Sequence, residues 1–151
     1  MQKPTRKIKV FIDTNDLIAG VNSVTGASAT LLDLCEAGVI QMVVSQQVLI
    51  EADRNFSAKF PELVDRFRQF MHNLAPLMVE DPTPESIEKA ATIVDRKDAP
   101  ILAAAQNAKV DFLITLDKRH FLNPKTRHKV MLKVVSPIEF LQSFERLFVE
   151  E

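Results

Sequence analysis

The stretch Ile8-Lys9-Val10-Phe11-Ile12-Asp13-Thr14-Asn15-Asp16 decides how the rest of the chain is read. A short β-branched, apolar run stops abruptly at four polar residues, the pattern of a buried strand that delivers side chains at its carboxyl end. The same pattern recurs downstream. Ile40–Val44 ends at Ser45, Leu77–Val79 is a short third strand, Phe112-Leu113-Ile114-Thr115 runs into Asp117, and Val130–Val135 supplies a fifth. Segments of helical spacing lie between them. Leu17 and Ile18 predict a short turn of helix, 21–27 reads as a loop, and Ser28–Ala37 carries Leu31, Leu32 and Cys35 on one face before Gly38 stops it. Ser45 suits the cap of a helix through Val48, Leu49 and Ala52 towards Phe56, and Pro61 the first turn of another, with Phe67, Phe70, Met71 and Leu74 in phase. Ile87, Ala90, Ala91 and Val94 mark a further helix, Asp98-Ala99-Pro100 opens a small-residue helix over Ile101–Ala108, and Pro137 starts a last one through Phe144. Strands separated by helices predict an α/β fold, a three-layer α/β/α sandwich around a central, mostly parallel sheet of about five strands.

The chain of 151 residues is expected to form a single domain over 1–151, its core spanning about 7–144. Hydrophobic residues at 46% and charged residues at 26% exclude wholesale disorder. The net charge of -1 means that a polyanion must be met by a local patch. With Cys35 alone, no intrachain disulfide forms and a cytoplasmic, reducing home is expected. No leader opens the chain and no apolar run approaches the roughly 18 residues of a membrane span, so no membrane partner is expected. The three glycines, Gly20, Gly26 and Gly38, cannot build the usual phosphate-cradling loops.

In open parallel sheets, ligands sit at the carboxyl ends of the strands. Asp13 and Asp117 follow the first and fourth strands there. Asp98 opens a helix leading into the fourth strand, and Glu51 lies two turns into the helix after the second. Like charges that converge need a compensating cation. Oxygen donors without Cys or His favour Mg²⁺ or Mn²⁺, which usually meet a substrate phosphate. Singly, each acid has a plainer reading: Asp98 as a helix cap, Asp117-Lys118 as a solvated turn, Glu51 as surface. Only the joint pattern points to a metal-dependent, phosphate-handling site.

That joint pattern resembles the PIN-domain family, in particular the bacterial toxins with VapC-like activity, from Lys7 to Phe144. It is carried by Val10-Phe11-Ile12-Asp13-Thr14-Asn15, by Val48-Leu49-Ile50-Glu51, by Lys97-Asp98-Ala99-Pro100-Ile101-Leu102-Ala103-Ala104-Ala105, and by Leu113-Ile114-Thr115-Leu116-Asp117. The resemblance implies that Asp13, Glu51, Asp98 and Asp117 bind one or two Mg²⁺ or Mn²⁺ ions that activate water for attack on an RNA phosphodiester. It implies that Asn15 orients Asp13 and that Thr115 does similar work near Asp117. It further implies an RNA substrate, a homodimer and an antitoxin protein that blocks the site. The alternative is a non-catalytic PIN-like RNA-binding or scaffold module, against which the presence of all four acids argues.

Asp16 stands where the family more often has an apolar residue. It reads either as an extra ligand or, the favoured alternative, as a solvated acid at a helix N-terminus. Asp95 poses the same question and is left outside the core site. Lys118, Arg119, Lys125, Arg127, Lys129 and Lys133 form a basic stretch, equally a track for an RNA backbone or a solvated loop. Lys3, Arg6, Lys7 and Lys9 read as a solubilising tail. His72, His120 and His128 lack metal-ligand spacing and are expected on surfaces or loops, while Cys35 is expected in the core. A haloacid-dehalogenase-type phosphatase would need Asp-x-Asp, whereas the chain has Asp13-x-x-Asp16; a receiver domain's acidic pair and lysine are also missing.

Overall fold

The computed structural model describes residues 7–23 and 25–149. The expected helices and strands alternate along it: β1 (Lys9–Ile12), α1 (Thr14–Asn22), α2 (Ala27–Glu36), β2 (Gln41–Ser45), α3 (Gln46–Lys59), a 3-10 turn (Pro61–Leu63), α4 (Val64–Leu74), β3 (Leu77–Val79), α5 (Pro84–Ala90), α6 (Ala99–Asn107), β4 (Phe112–Ile114), α7 (Pro124–Lys129), β5 (Lys133–Val135) and α8 (Pro137–Val149). All strand pairs are parallel, in the order β3-β2-β1-β4-β5. The connection runs one way from β1 to β2 and β3, then returns to place β4 on the other side of β1. That reversal opens a crevice at the carboxyl ends of β1 and β4, where sheets of this type bind ligands.

Successive residues of a strand face opposite sides, so each strand feeds two cores. Val10, Ile12, Met42, Val44, Phe112 and Ile114 pack with Leu17, Leu31, Leu32, Phe56 and Phe140 on one face. Phe11, Val43 and Leu113 pack on the other with Val48 and the small residues Ala99, Ala103, Ala104 and Ala105 of α6. The alanines let α6 lie close to the sheet, which brings its N-terminus to the crevice. Phe56 and Phe67 stack at 4.8 Å between ring centres and fasten α4 to α3. Among the described residues, no single helix is long and apolar enough to cross a membrane.

Three expectations need correction. The short turn after β1 is a full helix to Asn22, because Leu17, Gly20 and Val21 bury themselves against α2. The fifth strand is only Lys133–Val135. Residues Pro124–Lys129 before it form α7, whose Asn123 side chain accepts the Thr126 N–H at 2.8 Å. A charged segment without an apolar stripe hides its helix from a periodicity reading. The helix through Val94 stops at Ala90 and continues as turns. Lys3 and Arg6 of the basic tail lie outside the described residues.

Candidate active site

Asp13 stands where β1 becomes α1. Its backbone N–H continues the sheet ladder to the Ile114 carbonyl at 3.0 Å. Its side chain caps α1, Oδ1 accepting the Thr14 N–H at 2.7 Å and Oδ2 the Thr115 hydroxyl at 2.9 Å. The Thr115 oxygen in turn accepts the Asp117 N–H at 3.0 Å, so one buried hydroxyl ties together the ends of two adjacent strands. The Asp13 pKa is pushed up to about 6. Burial outweighs both hydrogen bonds, and the charges of Asp98 and Asp117 add to it.

Asp98 occupies the cap position of α6 yet makes no capping bond. Pro100 at the second helical position has no N–H to offer, which removes one of the cap's usual donors. The side chain turns into the crevice instead, where Oδ2 is buried without a hydrogen-bond partner. Burial first, and then the charge of Asp117, raise its pKa. Asp117 differs. Burial would raise its pKa, but the His120 backbone N–H at 2.9 Å, the His120 ring Nδ1 at 3.0 Å and the charge on that ring hold it below the ordinary carboxylate range. Glu51, half-buried on α3, reaches the same edge: its Oε2 accepts the Thr14 hydroxyl at 3.3 Å, one residue along from Asp13.

The structure therefore gathers Asp13, Asp98, Asp117 and Thr115 into one electrostatically coupled group, with Glu51 beside it. It does not give Asn15 the expected contact. Asn15 is exposed, and both Asp13 oxygens are already held by Thr14 and Thr115. Nor is Asp16 solvated. It is 1% exposed, because the phase of α1 places it with Leu17 and Gly20 on the buried face, within reach of the charge of Asp13. The Ser28 hydroxyl lies near enough to ease its charge, yet neither carboxylate oxygen has a partner at hydrogen-bonding distance, and burial pushes its pKa up to about 7. Cys35 is buried as expected, its thiol pushed up to about 12 by burial with Asp16 nearby.

His72 and His128 are exposed, but His120 is not a bystander: its ring touches the carboxylates of both Asp117 and Asp95. The legible signal was the one-turn spacing Asp117-x-x-His120, which a search for histidine pairs alone overlooks. The basic stretch is not one track. Arg127 is held by both Glu139 oxygens at 2.9 Å, and Lys133 sits over the Phe112 ring at 5.8 Å, towards the amino ends of the strands. Lys118 and Arg119, exposed in the turn after Asp117, remain beside the crevice. A cleft of about 840 Å³ does open at the amino ends, lined by Ile8, Val110, Phe112 and Met131. The convergent acids gather instead at the β1/β4 crevice.

Thr115→Val keeps the shape and removes the shared hydroxyl. It is expected to cost about 1–3 kcal/mol in denaturant unfolding at pH 8, where Asp13 is charged. Unchanged stability would show that this hydroxyl does not hold the two strand ends.

Residues 9–119 match a family model described as a PIN domain, a span that includes all four acids. The chain belongs to the PIN-domain family. Solved structures that this PIN domain resembles include PAE2754 from Pyrobaculum aerophilum, with TM-score 0.61, 14% identity and coverage of 93% of this chain and 89% of that one. FitAcB from Neisseria gonorrhoeae superposes with TM-score 0.61 at 16% identity, covering 85% and 98%. VapBC2 from Rickettsia felis, solved bound to a DNA fragment from their promoter, gives TM-score 0.59 at 15% identity, covering 85% and 98%. At these identities the likeness is one of fold. No curated protein sequence matches.

Proposed function

We propose that this PIN domain is a metal-dependent endoribonuclease that hydrolyses RNA phosphodiester bonds, and that it is the toxin of a toxin–antitoxin pair. The observation that carries the reading is the crowding of Asp13, Asp98 and Asp117 at the β1/β4 crevice. Two of these acids have raised pKa values, and one buried oxygen has no partner. Such a group is costly alone and suited to a divalent ion. Asp13, Glu51, Asp98 and Asp117 supply oxygen donors only, which fits Mg²⁺ or Mn²⁺. When bound, the cation supplies the positive charge that activates water and stabilises the phosphate oxygens during attack.

The chain's own residues do the positioning. Thr115 and the Thr14 N–H fix the plane of the Asp13 carboxylate. The Thr14 hydroxyl steadies Glu51, and His120 orients Asp117. Lys118 and Arg119, exposed in the turn after Asp117, would meet the phosphate backbone. A homodimer and an antitoxin that covers the crevice belong to the same proposal and rest on the family resemblance.

The test is incubation of the tag-free chain with several labelled RNAs and Mn²⁺, with and without chelator. Cleavage that vanishes with EDTA and returns with added Mn²⁺ is expected. Cleavage that persists in chelator would contradict the metal role, and RNA bound but uncut would favour the scaffold alternative.

A further inference from the structure

Beside the four acids lies a group that shares only Asp98 with the carboxylate centre. Asp95, Asp98 and His120 each offer a ligand atom, and these atoms lie within 4.8 Å of one another. The turn that leads into α6 sets up the two acids: Asp98 and Ala99 both donate their N–H groups to the Asp95 carbonyl, at 2.9 and 3.0 Å. The imidazole comes from the turn after β4, where Phe121 and Leu122 close back onto the Asp117 carbonyl at 3.2 and 3.0 Å.

The ring is oriented before any cation arrives. Asp117 Oδ1 accepts the His120 backbone N–H at 2.9 Å, and Oδ2 lies 3.0 Å from Nδ1. A carboxylate can only accept, so a metal-bound His120 would keep its proton on Nδ1, towards Asp117, and offer Nε2, which faces Asp95. A histidine held by a carboxylate through one nitrogen, with the other nitrogen presented, is the usual arrangement behind a metal-bound imidazole. Nε2 lies 3.0 Å from Asp95 Oδ2. That is about the edge of an octahedron with bonds of about 2.1 Å. Asp98 Oδ2, buried and without a hydrogen-bond partner, lies 3.7 Å from Nδ1, and the three ligand atoms stay within 4.8 Å of one another. The Asp95 side chain is 62% exposed and so free to close the remaining gap.

We propose that Asp95, Asp98 and His120 form a second cation position next to the carboxylate centre, which takes Mn²⁺ in preference to Mg²⁺ through the His120 Nε2. Imidazole nitrogen binds first-row transition ions well, whereas Mg²⁺ keeps to oxygen. Asp98 serves both positions, one oxygen to each, and Asp117 acts here through the ring that it orients. The proposal rests on the metal-binding part of the reading above only in sharing Asp98.

The experiment loads metal-free, tag-free full-length protein with Mn²⁺. It counts bound ions by the loss of the free Mn²⁺ electron paramagnetic resonance signal and records electron spin echo modulation from ¹⁴N. Wild type is expected to show ¹⁴N modulation that changes when histidine is ¹⁵N-labelled. His120→Gln should lose it, and Asp95→Asn should weaken Mn²⁺ at this position about tenfold. Mg²⁺ should displace the nitrogen-coupled Mn²⁺ at least about tenfold less readily than the remainder. Bound Mn²⁺ without histidine modulation, modulation that survives His120→Gln, or an Asp95→Asn protein with unchanged affinity each overturns the second position. In all three cases the carboxylate centre stands if Asp13→Asn lowers the ion count. No bound Mn²⁺ at all would defeat both. Asp95 is exposed, so its variant keeps the test decisive even if His120→Gln fails to fold.

Discussion

Asp13→Asn is expected to lower RNA cleavage by about a hundredfold to a thousandfold, while the protein remains folded. Losing one preorganised charged group at a phosphoryl centre costs on the order of 3–4 kcal/mol of transition-state stabilisation. The fold has little reason to object. An Asn carbonyl still accepts the Thr14 N–H, and the Thr115 hydroxyl can turn to accept from the new amide. The ionised Asp13 is itself a burden on the metal-free protein, because its folded pKa of about 6 lies above the ordinary 3.8. For an acid raised in this way, the stability it contributes is fully present below the unfolded pKa and is lost as pH rises through the folded one. At pH 8 without metal, Asp13→Asn should therefore be at least as stable as wild type. Activity lost together with stability would point to a structural role instead. Retained cleavage would remove Asp13 from the proposed mechanism. Steady-state cleavage and chemical denaturation on the same preparations separate these outcomes.

The second large effect lies on the buried face of α1. Asp16→Val is expected to raise stability at neutral and alkaline pH, by as much as about 4 kcal/mol at pH 8 and by little at pH 4. Asp16 is fully enclosed between α1 and α2, and neither oxygen has a hydrogen-bond partner. Its folded pKa of about 7 lies above the 3.8 of the open chain. The unfolded chain ionises first as pH rises, so wild-type stability should fall between about pH 4 and 7 and then level off. Valine never ionises, and the variant's curve should lose most of that slope. For a chain of this length, a gain of that size corresponds to roughly 10 °C in melting temperature. Thermal or urea melts across pH 4–8 in EDTA check this. A gain that is the same at both ends of the range would mean that packing, not charge, is what valine improves.

The strands and their terminal acids were legible because both follow from short-range rules. β-branched runs make strands, and a polar residue at the end of one can only emerge at the sheet edge. The role of Thr115 came from the family resemblance, and its bonds go to Asp13 and to the backbone of Asp117. Asp16 was not legible. Its solvation depends on which face of α1 meets α2, and that angle is set by contacts such as Gly20 against Leu32, where an added Cβ would lie 2.5 Å from Leu32 Cδ1. Asn15 shifted to the solvent side by the same rotation. His120 escaped notice because its place depends on a turn that brings residue 120 back over residues 95 and 98, a contact between segments far apart in sequence. Arg127 and Lys133 looked available as bare charges until Glu139 and Phe112 were seen to occupy them.

The bond between Asp13 and Thr115 spans 102 positions of the chain. During synthesis, which proceeds from the amino end, the first acid is exposed long before the segment that completes its surroundings. A growing polypeptide therefore carries Asp13 without its hydroxyl partner, and the crevice is assembled only once β4 pairs with β1.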